Sequence, residues 1–272
     1  INSNIVASQI KDHSKWGGVV PELAARKHLE LIHFVISEAI QKADVSYQEI
    51  DAIASTVAPG LVGSLRIGSI AARTLCAFYS KPFLGIHHLE GHLSSILFSE
   101  NPPKPPFIVL LVSGGHTELI RVGEMRKMER LGRSYDDAAG EAFDKVGRLL
   151  GLSYPGGPAI EKVAKGGDSF KFDLPKCKIS DKKGGFLKYD FSFSGLKTAV
   201  LRLIEKINNN NNNRPLPLED IAASFERVVA EVLVERSLNC VIDNNLLDIV
   251  VVGGVAANKT LRKMMISEAA KK

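Results

Sequence analysis

The chain has 272 residues, 45% hydrophobic and 24% charged, the composition of an ordinary soluble globular protein, which excludes disorder, collagen and coiled coil. Lysine plus arginine at 35 against aspartate plus glutamate at 30 leaves a formal charge of +5, which permits a polyanionic partner without requiring one. Cys76, Cys177 and Cys240 are far apart with no C-x-x-C among them, so neither a disulfide framework nor a thiolate zinc site is expected. The longest apolar run, Phe107 to Val112, is far too short for a membrane span, and Ile1-Asn2-Ser3-Asn4 has no signal-peptide pattern; a cytoplasmic protein is expected.

Pro21 to Lys42 carries Ile32, Val35, Ile36 and Ala39 at the three-and-four spacing of an amphipathic helix, with Pro21 acceptable in its first turn. Ile50 to Ala58 predicts a buried strand stopped by Pro59-Gly60, and Ser64 to Tyr79 returns to helical spacing. Pro102, Pro103, Pro105 and Pro106 form a stiff connector before the buried strand Phe107–Val112, which predicts two α/β lobes, 1–106 and 107–272. Ala138 to Leu150 predicts a helix, and Gly151 to Pro158 a turn-rich stretch whose Gly156-Gly157-Pro158 is expected to exclude regular structure. Asn208 to Asn213, a run of six asparagines, predicts a solvated loop. Ile221 to Val232 marks a long helix, and Asp248 to Val252 a buried strand that Gly253-Gly254 breaks before a helix from about Asn258.

Four segments carry residues suited to chemistry. In His88-Leu89-Glu90-Gly91-His92 two imidazoles at i and i+4 share one helix face and can reach one metal ion; a pair of structural histidines has the same spacing. Leu89 stands where the zincin motif has its catalytic glutamate, which argues against a metallopeptidase. In Leu111-Val112-Ser113-Gly114-Gly115-His116 a buried strand runs into two glycines that can bring amide N–H groups against phosphate oxygens, although a plain hairpin turn explains them equally well. The junction from Asp248 to Asn258 can admit a nucleoside to a helix start; Gly156-Gly157 permits further close backbone approach, and Asp144 can accept bonds from ribose hydroxyls. Between Glu161 and Lys197 nine lysines face five acids with phenylalanines interleaved, which suits either phosphate contacts on a nucleic acid or a solvated lysine surface.

Together these segments resemble one family. The motifs His88–His92, Leu111–Glu118, Asp136–Lys145, Tyr154–Pro158, Phe191–Thr198 and Gly253–Asn258, with Gly17–Arg26 ahead of them, occur in order as in the bacterial-type tRNA N6-adenosine threonylcarbamoyltransferases, the TsaD family. The resemblance spans nearly the whole chain. It implies the two-lobed α/β fold of actin, Hsp70 and sugar kinases, with a nucleotide cleft between the lobes. It also implies transfer of the threonylcarbamoyl group from threonylcarbamoyl-AMP to N6 of adenosine 37 in tRNAs reading ANN codons.

On that resemblance His88 and His92 are metal ligands for one divalent ion, iron(II) or zinc. Leu111, Val112, Ser113, Gly114 and Gly115 hold the phosphate region of the donor, and Asp144, Gly157 and Asn258 its ribose and adenine. No general base is identified. The implied partners, besides donor and tRNA, are proteins of the TsaB and TsaE types. Two family features are missing from the sequence: a phosphate-contacting turn ahead of its first residue and a third metal ligand, an aspartate in an Asn-Ala-Ala segment beyond Asn258. The sequence is therefore expected to be a trimmed form of a longer protein. The alternative, a non-catalytic actin-like nucleotide-binding subunit, is disfavoured because such paralogues lack the histidine pair.

Overall fold

The structure, a computed structural model, describes residues 1–124, 127–181, 184–210 and 215–272. It divides into two compact units, Ile1–Ser94 and Ser95–Lys272.

The first unit holds helices α1 (Ile10–Ser14), α2 (Pro21–Ala43), α3 (Val62–Tyr79) and α4 (His88–Ser94), and strands β1 (Ile53–Ala58) and β2 (Phe83–His87). Pro21 occupies the first turn of α2, where its missing N–H costs nothing, and Asp44 closes the helix in the left-handed conformation. β1 and β2 pair in parallel from Ile53 opposite Phe83 to Ala58 opposite His87, with α3 as the crossover between them. β2 passes into α4 without a linker, because His87 is the last strand residue and His88 the first helical one.

The second unit is built on a four-stranded sheet of β3 (Phe107–Val112), β4 (Thr117–Val122), β5 (Met128–Arg133) and β6 (Ile249–Val252), in the order β5-β4-β3-β6. β3 is apolar at every position and buried along its whole length, as a strand flanked on both edges and covered on both faces requires. β4 alternates instead, with Glu118 and Arg121 only partly covered, so its sequence gives no continuous apolar run. Around the sheet pack α5 (Ala139–Leu149), α6 (Gly156–Ala164), α7 (Ser194–Asn210), α8 (Leu218–Asp243) and α9 (Lys259–Ala269). α8 is buried nearly all round, and Phe225 meets Phe143 of α5 edge to face with ring centroids 5.2 Å apart.

Two expectations change. Gly156-Gly157-Pro158 does not exclude regular structure but opens α6, since Pro158 falls in the first turn, where backbone N–H groups have no intrahelical acceptor. Gly156 is required there because a Cβ would collide with the Phe143 carbonyl and the Asp144 Cα, so the start of α6 lies directly on α5. The asparagine run does not begin as a loop either: Asn208 to Asn210 extend α7, a helix already propagating at little further cost, while Asn211 to Asn213 lie outside the described residues.

Candidate functional site

The decisive geometry is the parallel pairing of β3 with β6. Leu111 lies opposite Val252, so the two strands end side by side and release their following loops at one end of the sheet. Carboxyl ends of adjacent parallel strands are where open α/β sheets place their ligands. From β3 comes Ser113-Gly114-Gly115-His116, a tight connection to antiparallel β4 in which the Ser113 N–H donates to the His116 carbonyl at 2.8 Å and the His116 N–H to Ser113 Oγ at 3.1 Å. From β6 comes a single 3₁₀ turn, Gly254–Ala257, leading to Asn258.

The start of α5 packs onto the first of these loops. The Gly140 N–H donates to the Ser113 carbonyl at 3.2 Å, and the Ala139 N–H to Thr117 Oγ1 at 2.8 Å. Three helix N-termini, those of α5, α6 and α9, thus gather beside the two loops. They enclose a cavity of about 630 Å³ whose wall includes Gly114, Gly140, Asp144, Tyr154, Gly157, Glu161, Val255 and Asn258.

Each predicted residue has a definite place. Gly114, Asp144, Gly157 and Asn258 line this one cavity, and Ser113 and Gly115 flank Gly114. Leu111 and Val112 are wholly buried in β3, so their side chains serve the core and hold the loop in position. Asp144 receives the Gly156 N–H on Oδ1 at 2.7 Å; burial pushes its carboxyl above the usual carboxylate range, and that hydrogen bond pulls the other way. Beside it, burial and then the Asp144 charge push the Tyr154 phenol up.

Asn258 is more engaged than the sequence indicates. Only 8% exposed, it caps α9 by accepting the Leu261 N–H on Oδ1 at 2.8 Å. Its amide donates to Glu226 Oε1 at 2.7 Å and to Glu161 Oε2 at 3.2 Å. Glu226, 5% exposed, also accepts from Thr260 Oγ1 at 2.8 Å. Glu161, Tyr154, Lys162 and Lys165 are cavity residues that the sequence reading missed. Glu161 had a signal, four residues after Gly157 on what proves to be one helix face.

His88 and His92 belong to the other unit. Both lie on α4, their ring centroids 4.7 Å apart and their planes tilted by 33°, so two imidazoles stand side by side within reach of one ion. Among the described residues no cluster of three or more histidine, cysteine, aspartate or glutamate side chains stands ready to hold a metal. The pair supplies two nitrogen donors of a chemistry suited to iron or zinc and needs a further ligand. No described helix is long and apolar enough to cross a membrane.

The sequence matches the family described as TsaD, tRNA N6-adenosine threonylcarbamoyltransferase, over residues 1–272. Among curated relatives, the tRNA N6-adenosine threonylcarbamoyltransferase of Prochlorococcus marinus strain MIT 9515 is 78% identical over 272 residues, covering all of this chain and 76% of the relative. The protein of the same description from strain NATL1A is 65% identical over 269 residues, covering 99% and 75%. Among solved structures, T. kodakarensis HypF superposes with a TM-score of 0.60 at 15% identity, over 89% of this chain and 39% of HypF. A full-length HypF in a phosphate- and nucleotide-bound form gives 0.58 at 11% identity, over 87% and 44%. The chain thus spans less than half of HypF, and the likeness shows the fold, α/β of the actin, Hsp70 and sugar kinase type.

Proposed function

The chain belongs to the TsaD family, the tRNA N6-adenosine threonylcarbamoyltransferases that form threonylcarbamoylated adenosine 37, and from that premise we propose that the cavity of the second unit holds threonylcarbamoyl-AMP. The observation that carries this reading is the meeting of Gly114, Asp144, Gly157 and Asn258 on one cavity wall. Backbone N–H groups of the Ser113–Gly115 turn and of the helix ends take the phosphate, as helix N-termini suit anions. Asp144 and Glu161 take ribose hydroxyls, and Val255 and Ala257 offer the base an apolar wall.

In the reaction the exocyclic N6 of the tRNA adenosine attacks the carbamoyl carbon of the donor. A new N–C bond forms, the bond from that carbon to the phosphate oxygen breaks, the electron pair leaves with AMP, and N6 loses a proton. The donor is an activated mixed anhydride and the amine a weak nucleophile, so fixing the donor and stabilising charge on its phosphate supply most of the catalysis. His88 and His92 would hold one divalent ion, iron(II) or zinc, which when bound supplies Lewis acidity toward oxygen. Proteins of the TsaB and TsaE types are the proposed partners, and the cytoplasm the proposed location.

Transfer of labelled threonylcarbamoyl from its adenylate to unmodified tRNA, in the presence of those partners and added metal, tests the reading. Metal-dependent labelling of adenosine 37, lost in His88→Ala and reduced in Asp144→Ala, is the expected result. Full labelling by Asp144→Ala would remove the donor from this cavity.

A further inference from the structure

We infer that the hairpin between Ile179 and Leu187, together with the groove it shares with the C-terminal half of α8, is a surface on which the acceptor tRNA rests; the inference takes tRNA as the acceptor, as proposed above. The hairpin closes through the Leu187 N–H to the Ile179 carbonyl at 2.9 Å and the Asp181 N–H to the Gly185 carbonyl at 3.0 Å. Gly184 and Gly185, at φ of +95° and +82°, supply the left-handed backbone the turn requires. Lys182 and Lys183, which the sequence offers with Lys188 as tRNA contacts, fall in this turn but outside the described residues.

The hairpin is anchored rather than loose. Arg236 of α8, 8% exposed, donates to the carbonyls of both Cys177 and Asp190, tying the two arms together at their base. Asp243, at the end of α8, accepts from Tyr189 Oη at 2.8 Å and pairs with Lys188 Nζ at 3.1 Å. A fixed base of this kind presents the side chains further out in a defined place.

Those side chains suit single-stranded RNA. The Phe186 ring is 57% exposed, and the Lys178 ammonium lies 5.4 Å from its centroid. An exposed ring with a cation beside it is a stacking platform for a base whose phosphate the lysine can meet. A groove of about 340 Å³ continues from the pair, with Lys176, Lys188 and Arg236 as its cations and Glu235 and Asp243 as its anions, a surplus of positive charge even after its ion pairs are counted. Position also fits. Glu226, part of the network around Asn258 at the donor cavity, lies on the same helix about 15 Å from Arg236 at the usual helical rise, a distance that one anticodon arm can span.

The test is titration of a fluorescent unmodified tRNA transcript with wild type, Lys178→Ala, Phe186→Ala and Phe186→Trp, at several salt concentrations, with transfer to the same transcript measured in parallel. Phe186→Ala is expected to weaken tRNA binding roughly tenfold or more, and Phe186→Trp to retain it. Lys178→Ala is expected to reduce the slope of log K against log salt by about 0.7 to 0.9. Affinity for the donor analogue in the absence of tRNA stays at the wild-type value in all three. Unchanged tRNA affinity and slope in the variants, while wild type binds and modifies tRNA, overturns this surface and leaves the enzymatic reading standing. Wild type that neither binds nor modifies tRNA overturns both. Loss of a protein partner's binding in the variants, with tRNA affinity intact, assigns the groove to that partner and overturns the inference.

Discussion

Gly140→Ala should damage the enzyme far from any side-chain chemistry. A Cβ at position 140 would lie 2.6 Å from the Ser113 carbonyl oxygen, 2.8 Å from Gly114 Cα and 2.9 Å from Gly114 N, whereas ordinary contact begins at 3.4 Å. All three are backbone atoms, so no side chain can swing aside, and the turn must move by roughly 0.8 Å to restore contact distance. Overpacking of this kind costs about 1–3 kcal/mol, against which the better helix propensity of alanine returns about 0.5–1 kcal/mol. The net loss, about 1–2 kcal/mol on these figures, should lower the urea midpoint by roughly 0.5 to 1 M. The larger effect is kinetic, because moving donor-positioning N–H groups by nearly an ångström costs on the order of a hundredfold in transfer. Gly157→Ala is the control: it meets nothing within 4 Å, so the urea midpoint should stay while a methyl group at the cavity wall raises KM for the donor. A Gly140→Ala protein with the wild-type midpoint and wild-type kcat/KM would refute the argument that α5 sets the position of the Ser113–Gly115 turn.

Asn258→Ala removes the α9 cap and one of the hydrogen-bond donors to the buried Glu226 carboxylate, so urea unfolding should show a loss of about 2–4 kcal/mol; a loss under about 0.5 kcal/mol would mean that the network holds little. Asp144 has a folded-state pKa raised chiefly by burial, so the folded protein binds more protons than the unfolded chain between the two pKa values, and stability must fall as pH rises through that window. Asp144→Asn should lose this part of the pH dependence, and matching stability-pH curves for the two proteins would contradict it. His88→Ala should weaken zinc binding in equilibrium dialysis at least tenfold, and equal affinity would remove the pair from the metal site.

How much of this was legible in the sequence depended on whether the signal was local. Phe107–Val112 and Asp248–Val252 announced β3 and β6 because a strand buried on both faces must be apolar throughout. β4 and β5 gave no such run: Thr117–Val122 carries Glu118 and Arg121 on its less covered face, and β5 is exposed along most of its length. The Gly156-Gly157-Pro158 stretch was misread because its helix-breaking residues sit where a helix tolerates them, and only the approach of α6 to Phe143 and Asp144 explains the glycine. At the site, Asp144, Gly157 and Asn258 were visible through their motifs. Glu226 was not: it stands 32 residues from Asn258 inside an otherwise apolar helix, and nothing in its neighbourhood marks it as the partner of that amide.

That partnership changes what recognises the donor. An asparagine at the edge of a nucleoside cavity invites the reading that its amide reads the adenine, yet here both polar ends of Asn258 are spent inside the protein, on Leu261, Glu226 and Glu161. A side chain that broke those bonds to reach a base would leave a buried carboxylate short of a donor and α9 without its cap, a cost comparable to the hydrogen bonds it gained. The Asn258 amide therefore acts through position: it ties α9 to α8 and α6 and so fixes the Gly254–Ala257 turn against the cavity. Discrimination of the base then falls to the shape of the wall at Val255 and Ala257 and to backbone groups of that turn. Shape alone separates similar bases by only a small factor, whereas the phosphate and ribose contacts are common to every nucleotide. The cavity should accordingly accept donors with other purines more readily than donors lacking the ribose hydroxyls, a ranking that competition between threonylcarbamoyl-adenylate, its guanine counterpart and its dideoxy form would measure.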